Sequence, residues 1–448
     1  MQPIQKIDVT GLVDNTRIGG FHVGIGLLCG TCLMITGFDV QSMGYAAPAL
    51  IRDWQVASTV LGPVFSAAFF GVLVGSLLFS TMGDRIGRRP MLIAATLVAS
   101  VMTFWTARAE SVNELMIVRF GAGVGLGGVM PNVLALVGEY SPARLRVAAI
   151  MIVGNGFNLG AAAGGFLSSF LIPAFGWRSI FYFGGAIPLV IAVLMIFFLP
   201  ESLQLMVLRG ASRNRIAQGI KRLNPAAAAD ANAEYFVREE KKEGVPVVHL
   251  FSAGRGSVTV LLWAVYFLNL LNLFLLASWL PTLVSASGYA TSTAVLVGTT
   301  LQAGGAVGGY VLAAVIGRVG LIPSLTVGFA VAAVCIALIG QSSLSLALLF
   351  VVVFLAGWGI LGGQNSLNTL AASYYPTYLR STGVGWCLGI GRVGAIIGPL
   401  FAGELLRRSW PQSQLFVAAA SLALLATVII FILKFLMSSG RGNSVSDY

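Results

Sequence analysis

The sequence predicts an all-α polytopic membrane protein, with twelve transmembrane helices in two pseudo-symmetric six-helix bundles. Three observations lead to this prediction. The 448 residues are 57% hydrophobic and 10% charged, with a mean hydropathy of +0.89, whereas soluble domains carry about 25% charged residues. Apolar runs repeatedly reach about 20 residues, the length that crosses a hydrocarbon core. The two halves of the chain also repeat each other.

The apolar runs divide the chain into two halves and a linker. Residues 1–199 are predicted to form an N-terminal bundle, 200–255 a polar cytoplasmic linker with a pair of short surface helices, and 256–448 a C-terminal bundle with a short cytoplasmic tail. The predicted spans, numbered 1 to 12, are 22–47, 58–82, 90–108, 113–138, 147–173, 179–199, 256–283, 292–316, 321–340, 344–371, 381–406 and 413–437.

The distribution of Lys and Arg predicts the orientation. If the N-terminus lies inside, twenty of the 27 basic residues lie on the cytoplasmic side, five lie outside, and Arg119 and Arg392 fall within spans. Cytoplasmic loops carry this excess of basic residues, so both termini are expected in the cytoplasm. The net charge of +11 is therefore a topology signal. We expect the lipid bilayer, rather than a nucleic acid, as the surrounding partner.

A set of residues in the first half recurs in the second at nearly constant offsets of 234 and 233. Parallel halves suit a transporter with its site at the midplane between them. Among the matched residues are Gly123 and Gly357, Gly128 and Gly362, Tyr140 and Tyr374, Pro142 and Pro376, and Arg146 and Arg380 at 234, and Gly71 and Gly304, Gly75 and Gly308, and Arg85 and Arg318 at 233.

Asp39 is the one acid, of sixteen, that lies well within a span. A charge there costs about 3 kcal/mol on insertion scales. Asp39 lies about 12 Å and Arg119 about 9 Å below the outer ends of their spans, at 1.5 Å per residue, so we expect the two to meet. We predict that Asp39 and Arg119 couple proton movement to substrate movement. A purely structural ion pair is the alternative.

Arg392, near the middle of span 11, completes the buried charge balance. With Asp39 ionised, the two arginines and one carboxylate sum to +2 − 1 = +1. A carboxylate substrate neutralises this charge, and the planar arginine fork binds both of its oxygens. We therefore predict a small organic anion as substrate, with Arg392 as its contact. A packing role for Arg392, or a bond to backbone carbonyls, stays open.

Intramembrane amides predict a polar cavity wall opposite these charges. Tyr266, Asn269 and Asn272 are expected on one face of span 7, and Gln364 and Asn368 are i, i+4 on span 10. The alternative is hydrogen bonding between helices, worth about 0.6 kcal/mol each. The full predicted substrate-binding set is Asp39, Gln41, Arg119, Tyr266, Asn269, Asn272, Gln364, Asn368 and Arg392.

Charged residues at the cytoplasmic ends of the spans predict a gate. Opposite charges on adjacent helix ends can hold that face shut and so bias a two-state equilibrium. Anchoring by positive charge alone does not explain Asp84. Gly317 replaces this acid in the second half, so an asymmetric latch is expected. The predicted gate residues are Asp84, Arg85, Arg88, Arg89, Glu139 and Arg146.

Several chemistries lack a signal in the sequence. No phosphate-binding loop occurs, and GAGVGLGG lies in mid-span with no strand before it, so no nucleotide is expected. No nucleophile–histidine–acid set or cluster of metal ligands occurs. We therefore expect neither an enzyme nor a cofactor or metal, and we expect a monomer.

Sequence motifs add a family resemblance. STMGDRIGRRPML (80–92) resembles the signature loop of the major facilitator superfamily, and RFGAGVGLGGVMPN (119–132) resembles its arginine-and-glycine motif. GFDVQSMG in span 1, LPESLQLMVLRG, SWLPT and YYPTYLRSTGVGWCLGIGRVGAIIGP resemble the aromatic acid:proton symporter family. The resemblance implies proton-coupled uptake of a benzoate, hydroxybenzoate or phenylpropionate by alternating access in a bacterial inner membrane.

One departure from the family pattern bears on coupling. The family usually has Asp-Gly-x-Asp in span 1, and here Thr36 replaces the first acid. A simple facilitator therefore stays open. Uptake of a non-aromatic organic acid, export of drug-like compounds, and a membrane sensor that retains the fold stay open as well.

Overall fold

The computed structural model describes residues 6–223, 233–237, 247–252, 254–341 and 344–442. These residues form mainly α-helices, with two short β-strands. In chain order the elements are β1 (Lys6–Asp8), α1 (Val9–Asp14), α2 (Gly20–Trp54), α3 (Leu61–Ile86), α4 (Arg88–Thr106), α5 (Val112–Tyr140), α6 (Arg146–Phe175), α7 (Arg178–Phe198), α8 (Leu203–Leu208), α9 (Arg213–Leu223), β2 (Glu234–Phe236), α10 (Gly256–Ala286), α11 (Thr291–Val319), α12 (Leu321–Ile339), α13 (Leu346–Tyr374), α14 (Thr377–Arg407) and α15 (Gln412–Gly442).

Twelve of these helices, α2–α7 and α10–α15, are long and apolar enough to cross a membrane. Each matches one predicted span, and no helix end differs from the predicted end by more than seven residues. The predicted all-α membrane fold is confirmed. Because the helices alternate in direction, α2 begins and α15 ends at the same end of the bundle, which we name the terminal face. The other end is the opposite face.

Repeated glycines bring helices together in the same way in both halves. A Cβ atom at Gly71 of α3 would collide with the carbonyl oxygen of Phe120 in α5. In the second half, a Cβ at Gly304 of α11 would collide with the carbonyl oxygen of Phe354 in α13. Small residues at helix crossings permit such backbone contact in membranes.

The same correspondence extends to α2 and α10. Gly160 packs on the Met34 carbonyl of α2, and Gly394 packs on the Phe267 carbonyl of α10. Met34 and Phe267 are 233 positions apart, and the α5 and α13 contacts are 234 positions apart. At these offsets Asp39 corresponds to Asn272, and Arg119 corresponds to Val353.

The two halves meet toward the opposite face. Ser66 of α3 donates a hydrogen bond to the Ile396 carbonyl of α14 at 2.7 Å. The Phe69 and Phe274 ring centroids are 4.4 Å apart, and those of Phe65 and Trp279 are 5.5 Å apart. These aromatic residues belong to one apolar cluster that joins both halves.

A second apolar cluster lies toward the terminal face. Its fully buried members come from the N-terminal half and the linker, between Val9 and Tyr235. Toward the terminal face, the N-terminal half therefore has an apolar core of its own.

The linker packs onto the N-terminal half. The two predicted surface helices are present as α8 and α9, and β2 pairs in parallel with β1, Lys6 opposite Glu234. Tyr140 donates a 2.5 Å hydrogen bond to the Glu201 carbonyl. Residues 224–232, 238–246 and 253 of the predicted linker lie outside the described residues, as do 1–5, 342–343 and 443–448.

Candidate functional site

Asp39 and Arg119 form an ion pair inside the N-terminal half. Arg119 Nη1 lies 2.8 Å from Asp39 Oδ1, and both side chains are 0% exposed. Arg119 Nη2 also donates to the Asp39 backbone carbonyl at 3.0 Å. The sequence-based expectation that the two residues lie at matching depth is thus met. The roles assigned to them remain predictions.

Two further side chains, from α4 and α7, contact the pair. Thr103 of α4 donates a hydrogen bond to Asp39 Oδ2, and the Arg119 guanidinium lies 5.6 Å from the Phe181 ring centroid of α7. Arg119 Nε is buried without a partner among the described residues. Sequence reasoning missed Thr103, because a hydroxyl in a span usually bonds to its own helix, as Thr36 does to the Cys32 carbonyl at 2.8 Å.

The C-terminal half has a neutral pair at the equivalent place. Asn272 and Val353 are both 0% exposed. Asn272 Nδ2 donates to the Ala419 carbonyl of α15 at 2.9 Å, and its Oδ1 is buried without a partner among the described residues. The same helix packing therefore forms around an ion pair in one half and around an amide and a valine in the other.

Four of the predicted polar residues form a connected network between α10 and α13. Tyr266 donates to Asn368 Oδ1 at 2.9 Å, and Asn269 Nδ2 donates to Gln364 Oε1 at 2.7 Å. Gln364 Nε2 lies 3.4 Å from the same Asn368 oxygen. Gln364 and Asn368 are partly exposed, whereas Tyr266 and Asn269 are buried.

The prediction that Asn272 shares the face of Tyr266 and Asn269 is wrong. Its amide points to α15, away from Gln364 and Asn368. The helical geometry explains the error. At about 100° per residue, six positions from Tyr266 to Asn272 turn the side chain through about 600°, which leaves the two about 120° apart. Residues three positions apart lie on the same face of a helix, but residues six positions apart do not.

Arg392 lies where the two halves meet. Its Nη1 donates to Ser76 Oγ at 2.8 Å and to the Val72 carbonyl at 3.4 Å, both on α3 of the other half. Among the described residues Arg392 has no acidic partner, and its other guanidinium nitrogens make no hydrogen bond. The excess positive charge predicted from the sequence therefore resides on Arg392. The bond to a backbone carbonyl, left open above as the alternative to an anion contact, is present to Val72, and the role of Arg392 as an anion contact stays a prediction.

Other polar side chains also lie within the membrane-crossing helices. Gln41, two residues after Asp39, is 4% exposed and forms no side-chain hydrogen bond with a described residue. Sequence reasoning missed Asn155 and Asn158 of α6, whose side chains are joined at 3.2 Å, and Gln302 of α11, which is 2% exposed. The sequence signal that predicted the amides of α10 and α13, an Asn or Gln side chain within a span, would have identified these three residues as well.

The predicted gate residues only partly come together. Arg88 contacts Asp84 at 2.5 Å and Glu139 at 3.4 Å, so this arginine joins α3, α4 and α5. Arg146 instead pairs with Asp14 of α1 and donates to the Gly138 carbonyl at 2.9 Å.

The two remaining gate residues lie apart from that cluster. Arg89 Nη2 donates to the Ile196 carbonyl at 2.5 Å, and Arg85 is exposed with no hydrogen bond to a described residue. Sequence reasoning missed Glu201, whose carboxylate accepts the backbone N–H groups of Arg88 and Ser202, each at 2.9 Å.

No residue is assigned to a metal. In the part of the chain that the structure describes, no three His, Cys, Asp or Glu side chains are grouped to hold an ion.

The fold and these residues can be compared with known proteins. A model of the Major Facilitator Superfamily matches residues 28–386 and again 262–446. The chain belongs to the Major Facilitator Superfamily. This membership confirms the resemblance seen in the signature loop and the expectation of a transporter rather than an enzyme.

Similar sequences extend over nearly the whole chain. The 4-hydroxybenzoate transporter PcaK of Pseudomonas aeruginosa is 37% identical over 97% of this chain and 97% of its own length. The gallate transporter of Pseudomonas putida is 38% identical, covering 94% and 95%. The benzoate transport protein of Acinetobacter baylyi is 30% identical, covering 96% and 93%. The resemblance to aromatic acid transporters is thereby confirmed.

Solved structures support the fold. A bacterial homologue of the human lysosomal transporter Spinster, in an inward-facing, unoccupied conformation, matches with a TM-score of 0.73 and 16% identity over 95% of this chain and 99% of that one. The xylose transporter XylE from E. coli, in a partially occluded inward-open conformation, matches with a TM-score of 0.70 and 14% identity, covering 92% and 98%.

Proposed function

We propose that this chain takes up a small aromatic carboxylate together with protons, by alternating access, across a bacterial inner membrane. The terminal face is then cytoplasmic, in accord with twenty basic residues on that side against five on the other. Relatives named for transport of 4-hydroxybenzoate, gallate and benzoate support an aromatic acid as substrate.

The observation that supports an anionic substrate is the charge of Arg392, which has no acidic partner among the described residues. Its guanidinium lies between the halves, at the place where alternating access requires a substrate site. One nitrogen is held by Ser76 at 2.8 Å. A carboxylate on the remaining nitrogens gains a charge-assisted hydrogen bond and cancels the excess charge.

The amide network supplies the second side of the proposed site. Gln364 and Asn368 are partly exposed, and both can exchange a hydrogen bond within the network for one to a ring hydroxyl. Amide and phenol groups both donate and accept. This pairing suits hydroxylated benzoates, with the carboxylate on Arg392 and a hydroxyl at α10 and α13.

Asp39 is the proposed proton carrier. A proton on this carboxylate neutralises one side of a fully buried ion pair and leaves Arg119 without its counter-charge. The cost of an unpaired buried charge, about 3–5 kcal/mol, is large enough to shift a two-state equilibrium between outward and inward forms. Thr36 replaces the acid at the other family position, so all coupling through this helix is assigned to Asp39.

Uptake of radiolabelled benzoate, 4-hydroxybenzoate, gallate and 3-phenylpropionate, in cells with and without an uncoupler, tests the proposal. We expect accumulation of at least one acid that collapses with the uncoupler. Uptake that persists down its gradient would indicate a facilitator without proton coupling. Transport of aliphatic acids alone would reject the aromatic substrate, and no uptake of any acid would favour export or sensing.

A further inference from the structure

A cavity of about 800 Å³ lies at the terminal face of the N-terminal half, apart from the proposed transport site. Its walls are the start of α4, the end of α7, and the linker helices α8 and α9. Ligand pockets commonly span about 300–1,000 Å³. The transport mechanism makes no use of this cavity.

The cavity carries a strong positive charge. Four arginines and one carboxylate, Glu201, line it, which gives +4 − 1 = +3. The Glu201 carboxylate is occupied by backbone N–H groups, including that of Arg88 at 2.9 Å. The four arginines are Arg89, Arg209, Arg215 and Arg222.

Two of these arginines are available to a ligand. Arg215 and Arg222 are exposed and form no hydrogen bond or ion pair with a described residue. They are seven positions apart on one face of α9, about 10 Å along the helix. Gln218 lies between them on the same face and also lines the cavity. The other face of α9 packs against the protein through buried Ile216 and Ile220.

The remaining wall is apolar and continues onto the surface that faces lipid. Phe197 lines the cavity, and both Phe197 and its neighbour Phe198, in the last turn of α7, are 73% exposed. The last turn of a membrane-crossing helix lies near the boundary between headgroups and acyl chains, because such a helix is about as long as the hydrocarbon core is thick. The cavity thus joins a basic wall to an apolar wall at the membrane interface.

We propose that this cavity binds the headgroup of an anionic phospholipid from the leaflet at the terminal face. The phosphate lies against Arg215 and Arg222, and the start of the acyl chains lies along Phe197 and Ile93. Basic residues next to a membrane surface attract anionic lipids. A soluble phosphate shares the charge but gains nothing from the apolar wall.

Native mass spectrometry of the purified full chain with added phosphatidylglycerol or phosphatidylcholine tests this site. We expect preferential binding of phosphatidylglycerol. The double variant Arg215→Gln/Arg222→Gln should weaken that binding by about tenfold or more. The matched control Arg144→Gln/Lys221→Gln removes two exposed charges from the same end of the molecule, outside the cavity, and should leave the binding unchanged.

A second variant protects the test against misfolding. Gln218→Glu adds a negative charge to the basic wall and removes no packing contact, so it too should weaken phosphatidylglycerol binding. Equal losses in the control and the cavity variants, or no loss in either cavity variant, would overturn the proposal. Binding of inorganic phosphate or glycerol 3-phosphate as tight as that of the phospholipid would overturn the lipid assignment and indicate a small-anion site.

Discussion

The two halves of this transporter place different chemistry on the same scaffold. Asp39 and Arg119 form a sealed ion pair in the first half, and Asn272 and Val353 occupy the equivalent positions in the second. Both pairs are fully buried, and glycine contacts such as those of Gly160 and Gly394 recur at equivalent positions in the two halves. The helix packing therefore does not require charge at this place.

This difference bears on why the ion pair exists. Replacing a buried pair by apolar residues is often neutral or stabilising, whereas removing one partner is costly. The C-terminal half folds without the pair, so stability alone is a weak reason for it. The proton-dependent role proposed for the N-terminal half would account for the asymmetry.

The largest expected effect comes from breaking the ion pair on one side. Asp39→Asn leaves the Arg119 guanidinium buried without a counter-charge and should lower the free energy of unfolding by about 3–5 kcal/mol. The double variant Asp39→Asn/Arg119→Met gives the N-terminal half the neutral character of the C-terminal half. It should recover most of that loss, because methionine fills the space of the arginine stem.

Thermal unfolding followed with a thiol-reactive dye measures these differences, because all four cysteines are buried in the folded protein. A double variant as unstable as Asp39→Asn alone would show that the fold does need the pair. The ion pair would then be structural, and the neutral residues of the C-terminal half would no longer indicate that the N-terminal half can fold without charge.

The next effect concerns Arg392, which has no acidic partner in the part of the chain that the structure describes, whereas Arg119 is paired with Asp39. Arg392→Gln should raise KM for the transported acid about 10- to 100-fold, the value of one or two charge-assisted hydrogen bonds. Arg392→Lys keeps the charge but loses the planar fork, so its KM should lie between that of the wild type and that of Arg392→Gln. Initial uptake rates against substrate concentration give the KM values.

Arg407→Gln is the matched control for Arg392, since it removes an arginine of the same helix that is exposed and paired with Glu404. An unchanged KM in Arg392→Gln would assign Arg392 to its contacts with Ser76 and Val72 alone.

The smallest effect is expected in the amide network of the C-terminal half. Gln364→Leu removes a neutral hydrogen-bonding group and should raise KM by only about two- to fivefold, since such bonds are worth about 0.6 kcal/mol in membranes. The control is Asn272→Leu, because that amide bonds to α15 and not to the network. It should change stability without changing KM. Equal KM changes in both variants would show that Gln364 contributes no more to substrate binding than Asn272, which lies outside the network.

Much of the fold could be predicted from the sequence, because the thickness of the bilayer sets the length of each apolar run and because the repeated glycines mark where helices pack closely. The sequence also predicted the Asp39–Arg119 pair, because depth in a membrane follows from position along a span. It did not predict Ser76 as the partner of Arg392, because that contact joins residues 316 positions apart in different halves. The pairing of β1 with β2 was missed because three-residue strands carry no periodic signal.

We propose that the Asp39–Arg119 ion pair serves proton coupling and not the fold. The most direct test is uptake of the accepted acid into proteoliposomes under an imposed pH gradient, with the wild type compared with Asp39→Asn/Arg119→Met. The wild type should accumulate the acid above its equilibrium level. The double variant should exchange labelled for unlabelled acid but only equilibrate it. Accumulation by the double variant equal to that of the wild type would show that proton coupling does not need the ion pair.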